Sequence, residues 1–258
     1  MSVSPRKALG QHFLVDENIL RVIERLAELA PDDVVLEIGP GLGVLTAFLA
    51  DRVARVHAVE IDRALAPRLE ERLGPRTNVQ IEVGDALSLD LATVAREAGK
   101  LVSNLPYNVA TPLLVESLDG LPNVRHWTVM VQREVADRLF ARPGTKAYGA
   151  VSVLLQLATE RTGFHPVSRE VFRPRPNVDS ALVAFRRTEL PPRFARVKQV
   201  VAAAFAHRRK TLPNSVELAG LATREQATEA LAKLGRRAST RAESLAPEEF
   251  VALADALR

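Results

Sequence analysis

Ser103-Asn104-Leu105-Pro106-Tyr107-Asn108 is the segment whose residue types and order point most directly to chemistry. It closes an apolar run, where an amide, a proline and an aromatic ring together need a reason. With Pro106 holding the chain rigid, the Asn104 side-chain oxygen and the Leu105 carbonyl can point at one spot. Two convergent acceptors suit an –NH2 group that must be oriented. Tyr107 supplies a flat surface on which a base could stack. A buried turn is the plainer alternative. Upstream, Val35-Leu36-Glu37-Ile38-Gly39-Pro40-Gly41-Leu42-Gly43 runs from an apolar stretch into a helical one. Its alternating glycines, Gly39 and Gly41 foremost, let the backbone turn tightly and approach a ligand with no Cβ in the way. A dinucleotide fingerprint would need glycine where Val44 stands. Glu60, 21 residues past Gly39, is placed to accept hydrogen bonds from ribose hydroxyls, or else is a solvated helix-start residue. Ile61 could pack on an adenine face. Asp85 could accept from an adenine amino group, cap the following helix, or do both.

The elements that must position these residues follow from the apolar pattern. Ile19, Leu20, Val22, Ile23, Leu26, Leu29 and Ala30 recur at helical spacing behind Asp16, a natural N-cap. Strands are expected at Val34–Ile38, Val56–Ile61, Val79–Val83, Leu101–Asn104 and Trp127–Gln132, and helices at Val44–Val53 and Arg63–Leu73. Strands alternating with helices predict an α/β fold with a mainly parallel sheet covered on both faces. Ala181–Phe185 is expected to return as an antiparallel edge strand. At Pro191-Pro192 the pattern changes to helices only: Phe194–His207, Arg224–Leu234 and Pro247–Leu257. Two domains are therefore expected, residues 1–188 and 189–258.

Charge follows the same division. From Glu189 onward, 12 Lys and Arg face 8 Asp and Glu, so the whole net charge of +4 lies there. A neutral body with a basic end module suits a polyanionic partner, although solvated helices also carry small surpluses. Arg208, Arg209 and Lys210 are the candidate phosphate contacts. On a helix they would fan across about 200°, and a cationic helix end is the competing reading. The absence of cysteine excludes disulfides, thiolate nucleophiles and cysteine-based zinc sites. The five histidines lack metal-ligand spacing, so no metal is expected. The longest uncharged stretch, Leu101 to Val115, carries two prolines and two asparagines and is too short to span a membrane. No apolar leader follows the start, and a cytoplasmic monomer is expected.

Taken in order, the motifs resemble the rRNA adenine N6,N6-dimethyltransferase family, and the match covers nearly the whole chain. Glu-x-Gly-x-Gly-x-Gly is the pattern of enzymes that bind S-adenosylmethionine, and asparagine-hydrophobe-proline-tyrosine that of adenine amino-methyltransferases. Gly10-Gln11-His12-Phe13-Leu14 looks like the family's N-terminal cofactor element, with His12 where members frequently have asparagine. Phe172-Arg173-Pro174-Arg175-Pro176-Asn177-Val178-Asp179-Ser180 is similar to its Phe-x-Pro-x-Pro-x-Val-x-Ser loop. Phe205-Ala206-His207-Arg208-Arg209-Lys210-Thr211-Leu212 is similar to its basic C-terminal element, with Pro213 where a further basic residue often stands. Within the family the chain looks closest to the bacterial KsgA-type branch, which modifies small-subunit rRNA.

The resemblance implies a Rossmann-like S-adenosylmethionine-dependent methyltransferase sheet with a small all-helical, rRNA-binding C-terminal domain. It implies cofactor contacts at His12, Leu14, Gly39, Glu60, Asp85 and Asn104. It also implies a target adenine clamped between Tyr107 and Phe172, with Asn104, Leu105 and Pro106 at the reacting amine. The partner would be small-subunit rRNA or the assembled small subunit. Methylation of large-subunit rRNA, methylation of DNA adenines, and a non-catalytic nucleic-acid-binding module are the alternatives.

Overall fold

A computed structural model of the chain describes residues 12–257. In chain order its elements begin with β1 (Phe13–Leu14), α1 (Glu17–Ala27), β2 (Val34–Ile38), α2 (Val44–Ala50), β3 (Arg55–Glu60), α3 (Ala66–Leu73) and β4 (Val79–Val83). There follow α4 (Leu91–Val94), β5 (Lys100–Asn104), α5 (Ala110–Gly120), β6 (His126–Gln132), α6 (Arg133–Leu139), α7 (Ala150–Ala158), β7 (Thr159–Val167), β8 (Phe172–Arg173) and β9 (Ser180–Arg187). Four helices complete the described chain: α8 (Phe194–Ala206), α9 (Leu212–Leu218), α10 (Arg224–Lys233) and α11 (Pro247–Ala256).

Seven strands form one sheet in the order β4-β3-β2-β5-β6-β9-β7. The first five run parallel, as strands alternating with helices predict. β9 is antiparallel to β6, with Gln132 opposite Ser180. It is not the edge strand expected from sequence: its first six residues are buried, and β7 lies outside it. A second, two-stranded sheet pairs Leu14 of β1 with Phe172 of β8.

Asp16 caps α1, its carboxylate accepting from the N–H groups of Asn18 at 2.7 Å and Ile19 at 3.4 Å. α1 then buries Ile19, Leu20, Ile23 and Ala27 in a core that includes Val35, Leu49, Val102, Met130 and Leu182. A ligand cleft forms at the carboxyl ends of the strands in open α/β sheets, here β2, β3, β4 and β5.

Contacts divide the chain into two units. The first holds the chain up to Ala136 together with Arg161–Arg187, and the second Asp137–Glu160 with the chain from Thr188 onward. The division at residues 187 and 188 lies where the double proline suggests, but residues 137–160 go with the helices rather than with 1–188. The reason is packing: α7 lies against α8 and α11. The second unit closes around Phe250 and Leu231, with the Phe205 and Phe250 rings stacked at 5.7 Å and Tyr148 Oη donating to the Leu245 carbonyl at 2.9 Å. Among the described residues no helix is long and apolar enough to cross a membrane.

Candidate active site

Four strand ends make one cleft. Its walls include His12, Leu14, Gly39, Gly41, Glu60, Ile61, Asp85, Asn104, Leu105, Pro106 and Tyr107, all from the first unit. It encloses about 1000 Å³ of space, part of which is open solvent.

The glycine loop after β2 is built by conformation and by close approach. Gly39 has φ +72° and Gly41 φ +59°, values that side-chain-bearing residues rarely adopt. A Cβ on Gly39 would lie 2.9 Å from Pro106 Cγ, so the two loops touch through a gap that only glycine leaves. Glu60 reaches into this loop from the end of β3. Its carboxylate, 3% exposed, accepts from the Gly41 N–H at 3.0 Å and from the Asp62 N–H at 2.9 Å. Burial pushes its pKa above the ordinary carboxylate range, against the pull of those two N–H groups. A carboxylate offers about four lone-pair sites, so acceptor capacity remains for a ligand. Asp85 is exposed and accepts from the Leu87 N–H at 2.9 Å, a turn-forming role that leaves acceptor capacity at the rim.

Beneath the loop lies Glu37, 1% exposed, with Oε2 buried and unpartnered and Thr46 Oγ1 likewise unpartnered. Burial raises the Glu37 pKa to about 8, and the Glu60 charge adds to the rise.

Asn104 ends β5. Its Nδ2 donates to the His12 carbonyl at 3.1 Å, which turns Oδ1 the other way. That oxygen is buried without a hydrogen-bond partner among the described residues. An unmet buried acceptor costs about 1 to 3 kcal/mol unless something supplies a donor, and Asn104 is one of the residues that line the cleft. Tyr107 is half-buried beside it, its hydroxyl 2.7 Å from Ser180 Oγ and its ring 5.4 Å from the His12 ring. His12 Nδ1 lies 2.8 Å from the Pro174 carbonyl. Gly10 and Gln11 of the N-terminal motif lie outside the described residues.

Two groups of expected site residues are placed differently. Phe172 is fully buried and packs in the α1 core with Leu14; it does not line the cleft. Its ring would have to leave the core to cover a base, and its place instead explains why β8 is fastened to β1. Arg208, Arg209 and Lys210 are not on a helix, since α8 ends at Ala206 and they form the turn that follows. Arg208 is engaged within its own unit, donating to the Tyr148 carbonyl at 2.9 Å and lying 3.8 Å from a Glu243 carboxylate oxygen. Arg209 and Lys210 are exposed, with no side-chain partner among the described residues. Ser180, Glu37 and the His12 carbonyl are contributors to the site's hydrogen bonding that local sequence reasoning gave no part. Among the described residues no cluster of three or more His, Cys, Asp or Glu is arranged to hold a metal ion.

The cleft supports a nucleoside-bearing ligand on one side and an oriented amine on the other. Asn104, the spare acceptor capacity of Glu60 and the glycine cradle suit S-adenosylmethionine and an adenine amino group. Comparison with known proteins agrees. Residues 3–258 match the family model described as ribosomal RNA adenine dimethylase. Ribosomal RNA small subunit methyltransferase A of Rubrobacter xylanophilus is 50% identical over 250 residues, 96% of this chain and 94% of that protein. Its counterpart in Geobacillus kaustophilus is 43% identical over 265 residues, 98% of this chain and 90% of that one. Among solved structures, a dimethyladenosine transferase from Plasmodium falciparum superposes with a TM-score of 0.77 at 24% identity, covering 94% of this chain and 96% of that one. The 23S rRNA methyltransferase ErmE gives 0.64 at 29% identity, covering 95% and 99%. The chain belongs to the ribosomal RNA adenine dimethylase family.

Proposed function

We propose that this chain transfers methyl groups from S-adenosylmethionine to the N6 amino groups of adenines in small-subunit ribosomal RNA, twice at each adenine, in the cytoplasm. The single observation that carries the reading is Asn104, which lines the cleft with Tyr107 and whose Oδ1 atom has no hydrogen-bond partner among the described residues. The identities of 40–50% to small-subunit methyltransferases favour that substrate over the large subunit.

S-adenosylmethionine, when bound, supplies a methyl group on a cationic sulfur. Glu60 and Asp85 would accept hydrogen bonds from its nucleoside half, and His12, Leu14, Gly39, Gly41 and Ile61 would line the space that holds it. The work of the chain on the substrate side is orientation. An adenine amine is a poor nucleophile because its lone pair is delocalised into the ring. Asn104 Oδ1 and the Leu105 carbonyl accept its N–H groups, which favours a tetrahedral nitrogen with the lone pair turned into the cleft. Preorganised acceptors and positioning then carry most of the rate. No base is required before attack, since the proton leaves an amine that is already cationic. The adenine must be unstacked to enter, and it rests on Tyr107. Arg209 and Lys210 hold the RNA backbone.

Tritiated methyl transfer to unmethylated small subunits, to large subunits and to duplex DNA separates the alternatives. Label is expected in the small-subunit RNA; label confined to large subunits or DNA, or none in any of the three, would reject the reading.

A further inference from the structure

Ser180 is the one polar residue among the first six, all buried, of β9. A buried hydroxyl is costly unless it is paired, and this one is paired with Tyr107, Oγ to Oη, at 2.7 Å. The serine is itself fixed: Gln132 lies opposite it in β6, and the Arg133 N–H donates to the neighbouring Asp179 carbonyl at 2.9 Å. The Tyr107 ring also meets the His12 ring, with planes 31° apart. Because the Pro174 carbonyl can only accept, His12 Nδ1 donates to it, and that carbonyl belongs to the same loop that leads to Ser180. The ring against which the adenine would rest is thus set from two elements outside its own loop.

We propose that Ser180 is a positioning residue for methyl transfer: its hydroxyl sets the Tyr107 ring in the plane from which a stacked adenine reaches Asn104. This rests on the function proposed above. The loop of residues 172–180 then acts on the reaction through the Ser180–Tyr107 bond, and the Tyr107 hydroxyl has a use beyond the stacking surface of its ring.

The test compares Ser180→Ala, Tyr107→Phe and the double variant in single turnover, with unmethylated small subunits and tritiated S-adenosylmethionine, alongside calorimetric affinity for S-adenosylmethionine. Each single variant should slow transfer about ten- to a hundred-fold, the size expected of a misplaced reactant, with cofactor affinity unchanged. The double variant should be no slower than the slower single one, since both remove the same bond. Ser180→Thr, which retains a hydroxyl, should recover most of the rate, and Tyr107→Ala should lose more than Tyr107→Phe because the ring goes too. Normal rates in Ser180→Ala, or losses that multiply in the double variant, would overturn the proposal. A second readout needs no turnover. The chain has two tyrosines, so with ring-labelled tyrosine Ser180→Ala should move the Tyr107 nuclear magnetic resonance signal and leave that of Tyr148; an unmoved Tyr107 signal would also overturn it. Failure of the unaltered chain to methylate any RNA is a separate failure, that of the proposed function, and shows before any substitution is made.

Discussion

Glu60→Ala separates two jobs that one carboxylate performs. In the intact chain it satisfies two buried N–H groups, those of Gly41 at 3.0 Å and Asp62 at 2.9 Å. Alanine leaves both without an acceptor. At about 2 kcal/mol for each orphaned donor, roughly 4 kcal/mol is lost, a large share of the 5 to 15 kcal/mol typical of a folded chain. Part of this is returned, because the carboxylate is itself costly to bury, as its raised pKa records. A net loss of about 2 kcal/mol is expected, which lowers the melting temperature by roughly 4 to 8 °C. Separately, the ribose acceptors vanish, which at about 1.5 to 3 kcal/mol weakens S-adenosylmethionine binding on the order of ten- to a hundred-fold. Glu60→Gln keeps the shape and one acceptor oxygen, so it should retain much of the stability and lose affinity. Thermal melting and calorimetry on the three chains decide the matter. An alanine variant that melts with the wild type and binds S-adenosylmethionine normally would remove Glu60 from both roles.

Other perturbations have equally definite outcomes. Glu37, with its pKa raised from 4.5 to about 8, holds a proton in the folded chain that the unfolded chain releases, so stability falls as pH rises between those values. Glu37→Gln should flatten that fall and melt above wild type at about pH 9; parallel melting curves across the range would exclude the effect. Asn104→Ala should slow single-turnover transfer by about 10² or more while RNA affinity survives, and a near-normal rate would refute its orienting role. Replacing Arg209 and Lys210 together by alanine should flatten the slope of log K against log salt for RNA binding by about 1.4 to 1.8. Arg208→Ala should instead lower the melting temperature, since Arg208 is bound to the Tyr148 carbonyl; an unchanged slope in the first and unchanged melting in the second would reverse these assignments.

What the sequence made legible was whatever is local. β2, β3, β5 and β6 announce themselves as mainly apolar runs, and site residues stand at the ends of β2 to β5 because that is where a parallel sheet exposes backbone to a ligand. β7 was not legible: as the outer strand it alternates exposed residues and contains Gly163, His165 and Pro166, and so reads as a loop. α5 hides because Pro112 in its first turn reads as a breaker, although its buried residues Ala110, Leu113, Leu114, Ser117 and Leu118 recur at helical spacing. Within the site, the missing knowledge is of partners distant in sequence. Glu60 meets Gly41 across 19 residues, Tyr107 meets Ser180 across 73, and Asn104 meets the His12 carbonyl across 92. Residue type assigns Phe172 an aromatic face, but only the packing of α1 decides that this face is buried. The basic triplet reads as helical from the spacing of Phe205 and Leu212, yet α8 has ended before it.

The most direct test is the chemical identity of the product. Unmethylated small subunits are incubated with the chain and labelled S-adenosylmethionine, and the RNA is digested to nucleosides and separated. The expected product is N6,N6-dimethyladenosine, formed through N6-methyladenosine and sharply reduced with Asn104→Ala. Label on a ring nitrogen, on a ribose hydroxyl or on another base would contradict the assignment of Asn104 and Leu105 as the acceptors that orient an adenine amine.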